Sequence, residues 1–132
     1  MPERILLVED NPGIRTNLAS FLRAAGYRVN EAPNGKEAIE LLRKDKVNLV
    51  LSDIVMPELS GFSLLQHVRS ARPEIPVILM SGFLFNPDQI VKQGAVDFIT
   101  KPIMLSDLLS KVELVLKDRR IQKFGERRHA ST

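Results

Sequence analysis

Five polar residues of this 132-residue chain stand immediately after apolar runs: Glu9 and Asp10 after Ile5-Leu6-Leu7-Val8, Asp53 after Leu49-Val50-Leu51-Ser52, Ser81 after Val77-Ile78-Leu79-Met80, and Lys101 after Phe98-Ile99-Thr100. Three acids, one hydroxyl and one lysine would form a chemical unit only if the chain brought them together. Crowded carboxylates repel one another and raise each other's pKa unless a cation neutralises them. Oxygen-only donors of this hardness suit Mg²⁺, which keeps several waters and commonly works beside phosphate. Lysine and serine supply donors for phosphoryl oxygens. A carboxylate facing phosphorus in such a setting, here Asp53, can act as a nucleophile and form an acyl phosphate.

The elements between these residues decide whether they meet. Short apolar runs alternate with stretches of helical period, the pattern of βα units on a parallel sheet. The runs predict strands at Arg4–Val8, Arg28–Ala32, Val47–Ser52, Pro76–Met80 and Phe98–Thr100. The first, third and fourth are nearly continuous Ile, Leu and Val, as expected of strands covered on both faces, which places them inside the sheet. Arg28-Val29-Asn30-Glu31-Ala32 alternates and the Phe98 strand is short, so these two are expected at the edges.

Ile14, Leu18, Leu22 and Ala25 recur at helical spacing before Gly26, and Asn34 with Glu37 opens a second helix carrying Ala38, Leu41 and Leu42. Ser60 can cap a third helix using Phe62, Leu65 and Val68. Asn86-Pro87 starts a short fourth ending near Gly94, and Leu105, Leu108, Leu109, Val112 and Leu116 stripe a fifth. In an open α/β sheet ligands bind at the carboxyl ends of the strands, so right-handed crossovers should gather all five polar residues at one crevice.

Composition narrows the classes. The chain has no cysteine, 44% hydrophobic and 27% charged residues, which describes one soluble globular domain without disulfides or thiolate metal sites. Apolar runs of four or five residues are too short for a membrane span, and no secretion signal opens the chain, so a cytoplasmic protein is expected. The net charge of +3 divides unevenly: residues 117–132 hold six Lys/Arg against two Asp/Glu, leaving 13 against 14 in residues 1–116. A near-neutral body with a basic end is expected to be a domain over 1–118 followed by a basic tail or linker stub over 119–132, with no DNA-binding module.

The chain resembles the receiver domain of two-component response regulators over residues 3 to about 118. The likeness rests on Leu7-Val8-Glu9-Asp10-Asn11, on Leu51-Ser52-Asp53-Ile54-Val55-Met56-Pro57-Glu58-Leu59-Ser60-Gly61, on Met80-Ser81-Gly82, and on Gly94-Ala95-Val96-Asp97-Phe98-Ile99-Thr100-Lys101-Pro102. It implies a doubly wound, five-stranded parallel α/β sheet in the flavodoxin-like order 2-1-3-4-5 with helices on both faces. It also implies that Asp53 accepts a phosphoryl group from a histidine kinase or phosphotransfer protein. Asp10 would then be a direct Mg²⁺ ligand, with Glu9 acting through a bound water, Asp53 both ligand and acceptor, and the Val55 backbone carbonyl completing the protein ligands. Ser81 and Lys101 would hold the phosphoryl oxygens. Phe98 matches the switch aromatic whose rotamer follows Ser81, and Lys101-Pro102 matches a cis peptide. The resemblance allows a phosphorylation-dependent dimer and a downstream protein effector that the sequence does not name.

The spacing from Ser81 to Lys101 is 20 positions, shorter than the family pattern, so the fourth helix is expected to be short and pairing through that face is doubtful. Phe83-Leu84-Phe85 is unusually apolar for a loop beside the site, as a partner surface or a lid would be. A haloacid-dehalogenase-like phosphatase would need a second acid where this chain has Val55. Dinucleotide and P-loop enzymes would need glycine-rich phosphate cradles that do not occur, and an FMN phosphate would be repelled by the three acids. What stays open beside the phosphoacceptor is a receiver-fold interaction domain that signals without phosphorylation, or a receiver cut from a hybrid kinase or a longer regulator.

Overall fold

The computed structural model describes residues 2–82 and 86–130, with side chains to residue 118; Phe83-Leu84-Phe85 lies outside the described residues. Ten elements alternate: β1 (Arg4–Val8), α1 (Pro12–Ala24), β2 (Arg28–Ala32), α2 (Gly35–Lys44), β3 (Leu49–Asp53), α3 (Gly61–Ala71), β4 (Val77–Ser81), α4 (Pro87–Lys92), β5 (Asp97–Thr100) and α5 (Leu105–Ala130). The five strands form one parallel sheet in the order β2-β1-β3-β4-β5, with β2 and β5 at the edges as the alternation and shortness of those segments require.

Successive residues of the inner strands point to opposite faces, and the core divides accordingly. Ile5, Leu7, Leu49, Leu51, Ile78, Met80 and Ile99 pack with Leu18, Ala19 and Leu22 of α1 and Leu108, Val112 and Leu116 of α5. Leu6, Val8, Val50 and Leu79 pack on the other face with Ala38 and Leu42 of α2, Leu64, Leu65 and Val68 of α3, and Ile90 of α4. Both faces are covered by helices, which explains why β1, β3 and β4 read as largely apolar runs.

The helix starts are fixed by short polar side chains. Asn11 accepts from the Ile14 N–H at 3.0 Å, Asn34 from that of Glu37 at 2.9 Å, Ser60 from that of Ser63 at 3.2 Å, and Asn86 from that of Asp88 at 2.8 Å. Each satisfies a first-turn donor that has no partner within its helix. Gly26, just past α1, has φ of +104°, the left-handed turn that a glycine makes cheaply there.

Several boundaries differ from the sequence reading. β3 begins at Leu49 rather than Val47, and β4 at Val77 rather than Pro76, whose ring nitrogen has no hydrogen to give the ladder. Both strands also run one residue further, so Asp53 and Ser81 are their last residues rather than the first of the loops. Ile14 and Leu105 carry the helical period but are 39% and 44% exposed, because α1 and α5 do not close over them. The fifth helix continues to Ala130, well past Leu116 where the expected apolar stripe ends, so the basic segment begins as an extension of α5. Among the described residues no helix is long and apolar enough to cross a membrane.

Candidate functional site

Register brings the strand ends together. Val8 pairs with Ser52 and Asp53 with Met80, so the residues that end β1, β3 and β4 sit side by side at the carboxyl edge of the sheet. Glu9 follows β1 directly and its N–H still bonds the Ala32 carbonyl of β2 at 3.1 Å, while the Lys101 N–H donates to the Ser81 carbonyl at 2.7 Å. Glu9, Asp10 and Asp53 each offer an oxygen within 4.8 Å of the others. Asp10 is exposed and Glu9 and Asp53 are buried, so the group opens to solvent on the Asp10 side.

Lys101 ties the buried pair. Its ammonium is 2.9 Å from Asp53 Oδ2 and 3.0 Å from Glu9 Oε1, while Glu9 Oε2 accepts the Asn11 N–H at 3.1 Å. Part of the repulsion expected among the acids is therefore met by a cation from this chain. Burial pushes the Glu9 carboxyl above its ordinary 4.5, with the nearby Asp53 charge adding to that, against the pull of the Asn11 N–H and Lys101. Burial alone would lower the Lys101 pKa, but its bonds to Asp53 and Glu9 outweigh it and the pKa is raised, so the lysine stays charged through the neutral range.

The other expected site residues take different places. Ser81 is buried at the end of β4, its hydroxyl donating to the Gly82 carbonyl at 2.6 Å. Val55 is 63% exposed and its side chain is a hydrocarbon, so any ligand there must come from its backbone carbonyl. Phe98 is half-buried in the middle of β5 and packs on the core face of α2 to α4. Lys101–Pro102 is cis.

Three features of the site were not foreseen. Arg15, in the first turns of α1, donates to the Glu9 carbonyl at 2.8 Å and lies 3.5 Å from Glu31, bracing the acidic turn from behind; its place six residues after Glu9 was the available signal. Ser52 is fully buried and donates to the Asp53 carbonyl at 2.9 Å. After β3 the chain makes a γ-turn in which the Leu59 N–H bonds the Pro57 carbonyl at 2.9 Å and Glu58 takes φ of +71°. Such a turn is strained for a non-glycine residue and lies in the loop that carries Val55. Beside Lys101, a hollow of about 390 Å³ is lined by Ile14, Leu18, Pro102, Ile103 and Leu105.

This arrangement can hold a hard divalent cation through carboxylate oxygens at one sheet edge, and it presents a lysine cation to whatever bonds Asp53. The comparisons with known proteins agree with it. A family model described as the response regulator receiver domain matches residues 5–113. The response regulator receiver protein CpdR of Brucella abortus is 36% identical over 117 residues, covering 86% of this chain and 97% of that protein. The transcriptional regulatory protein RprY of Bacteroides fragilis is 36% identical over 125 residues, which is 93% of this chain but 53% of RprY. Among solved structures, a CheY-like receiver domain protein from Methanospirillum hungatei superposes with a TM-score of 0.87 at 28% identity, covering 92% of this chain and 99% of that one. The chain thus spans about half the length of RprY, and 27% of the transcriptional regulatory protein GlrR of Escherichia coli.

Proposed function

This chain belongs to the response regulator receiver family, and on that premise we propose that Asp53 accepts a phosphoryl group from a histidine kinase or phosphotransfer protein and that the domain then changes its protein contacts. The observation that carries this reading is the convergence of Lys101 on Asp53 and Glu9, with Asp10 completing a three-carboxylate group at the mouth of the sheet.

Asp53 Oδ attacks phosphorus while the bond to the donor's imidazole nitrogen breaks and its electron pair returns to the ring. Lys101 follows the charge that develops on the phosphoryl oxygens, and the Ser81 hydroxyl turns from Gly82 to donate to another. Glu9, Asp10, Asp53 and the Val55 carbonyl are the residues that would hold Mg²⁺, which when bound neutralises charge on both the carboxylates and the phosphoryl group. Asp10 is the member of the set most open to solvent, so its loss should act on metal binding with little effect on the core.

Acetyl phosphate with Mg²⁺ is expected to add one phosphoryl group to the chain, seen by intact-mass spectrometry, and none without the metal. Mg²⁺ is also expected to raise the melting temperature, and Asp10→Asn should remove most of both effects. Labelling that ignores Mg²⁺ and Asp10 would count against this reading, and no labelling from any donor would leave a receiver-fold domain that signals without phosphorylation.

A protein donor must cover the surface around Asp53 to bring its imidazole in. The hollow beside Lys101 is apolar, adjacent and left open by Ile14 and Leu105. We place the donor protein there. Leu105→Glu is expected to slow transfer from a phosphohistidine protein about tenfold while leaving labelling by acetyl phosphate unchanged, since a charge buried in that contact costs on the order of 1–2 kcal/mol. Equal slowing with both donors would show that the substitution acts on the site and not on docking.

A further inference from the structure

Among the described residues the most heavily bonded lysine outside the acidic site is Lys111 on α5. Its ammonium donates to the Phe98 carbonyl at 2.7 Å and to Asp97 Oδ1 at 3.2 Å, and stands 5.2 Å from the centre of the Phe98 ring. The Phe98 ring packs on the face of the sheet covered by α2 to α4, whereas α5 packs on the opposite face. The lysine chain therefore reaches round the edge strand. The Phe98 N–H, for its part, donates to Asp97 Oδ1 at 2.8 Å. Both backbone groups of Phe98 and its ring are thus held by one ion pair, Lys111–Asp97, whose side chains are 30% and 31% exposed.

We propose that Lys111 is a latch on Phe98. It holds the ring half-buried on β5, and the ring can turn toward the end of β4 only if the ammonium gives up its place over the ring face. The latch thereby sets how readily an event at Asp53 is passed to the edge of the sheet, which makes Lys111 a positioning residue acting through Phe98. This rests on the reading above in which Asp53 is the acceptor, together with the expectation from the receiver resemblance that Phe98 follows Ser81. Attraction between an ammonium and a ring at a partly exposed position changes such an equilibrium by about two- to fivefold.

Lys111→Met keeps the length and apolar stem without the charge, and Lys111→Arg keeps the charge. In protein labelled with ring-fluorinated phenylalanine, the Phe98 fluorine resonance, assigned with Phe98→Leu, is expected to shift in K111M and to stay close to wild type in K111R. Beryllofluoride with Mg²⁺, a mimic of the bound phosphoryl group, is expected to bind K111M about two- to fivefold more tightly by calorimetry. That gain should vanish when both proteins also carry Phe98→Leu. An unchanged Phe98 resonance in K111M, or the same gain with Phe98→Leu present, would overturn the latch. Wild-type protein that binds no beryllofluoride would overturn the acceptor reading instead, and the fluorine resonance would still decide the latch.

Discussion

An Asp53→Asn protein is expected to take up no phosphoryl group from acetyl phosphate or a phosphohistidine donor, a loss of at least roughly a hundredfold in labelling rate, because the substitution removes the nucleophile while keeping its shape. The site offers no substitute. Glu9 is 1% exposed, with one oxygen on Lys101 and the other on the Asn11 N–H, so it cannot turn toward an incoming phosphorus. Asp10 is exposed, but Lys101 is committed to Glu9 and Asp53, and a phosphoryl group on Asp10 would lack that cation beside it. Mass spectrometry of the intact chain and of its peptides decides the matter. An Asp53→Asn protein that still gains a phosphate under Mg²⁺, at Asp10 or elsewhere, would refute the assignment.

The second large effect is expected from a single methyl group. A Cβ at Gly61 would collide with the Asp53 carbonyl oxygen and stand 2.7 Å from the Ile54 Cα and 3.0 Å from the Asp53 carbonyl carbon. These are backbone atoms at the end of β3 and in the residue just after it, and they cannot swing aside as a flexible side chain can. The close approach is itself tied by the Gly61 N–H, which donates to the Ile54 carbonyl at 2.8 Å. Gly61→Ala must therefore push α3 away from β3 or bend the end of β3, an overpacking expected to cost about 3 kcal/mol. The melting temperature should fall by roughly 10 °C for a domain of this size. Phosphorylation of the protein that remains folded should also slow, since the Asp53 carbonyl is the atom displaced. Gly82→Ala is the matched control: its Cβ would meet nothing within 4 Å among the described residues, and it should change stability by less than about 0.5 kcal/mol. Equal melting temperatures for Gly61→Ala and wild type would show that the loop gives way freely.

The parts of this molecule that were legible in its sequence are those that obey a period. Runs such as Ile5-Leu6-Leu7-Val8 read as strands covered on both faces and the alternating Arg28–Ala32 as an edge, so the inner and edge strands and the gathering of Glu9, Asp10, Asp53 and Lys101 were within reach, while the order of the sheet came from the resemblance to receiver domains. What a period cannot convey is where a long side chain goes once the elements have packed. Lys101 was read as a donor for phosphoryl oxygens, and the sequence did not convey that it also bridges Glu9 and Asp53, where two buried carboxylates need a cation close at hand. Ile14 and Leu105 fit the helical stripe but stay exposed, since helical spacing says nothing of how far apart α1 and α5 stand at that end. Glu58 in a left-handed turn had no local sign, since none of the residues that take positive φ readily, glycine or asparagine, stands there.

The bonds that hold Phe98 bear on another matter, the way copies of this chain meet when they are crowded. With helices over both faces, strand addition is open only at β2 and β5, and the edge of a sheet is a template wherever its outward amides and carbonyls lie bare. On β5 the Phe98 N–H is bonded by Asp97 and its C=O by Lys111, so a foreign strand would have to displace the partly exposed Lys111–Asp97 pair before bonding Phe98. The four-residue length of β5 leaves little else to gain. Self-association is thereby steered to helices and loops and away from the continuous ribbon that leads to aggregation, and a chain lacking the Lys111 charge would bare the Phe98 carbonyl on that edge while its N–H stayed with Asp97.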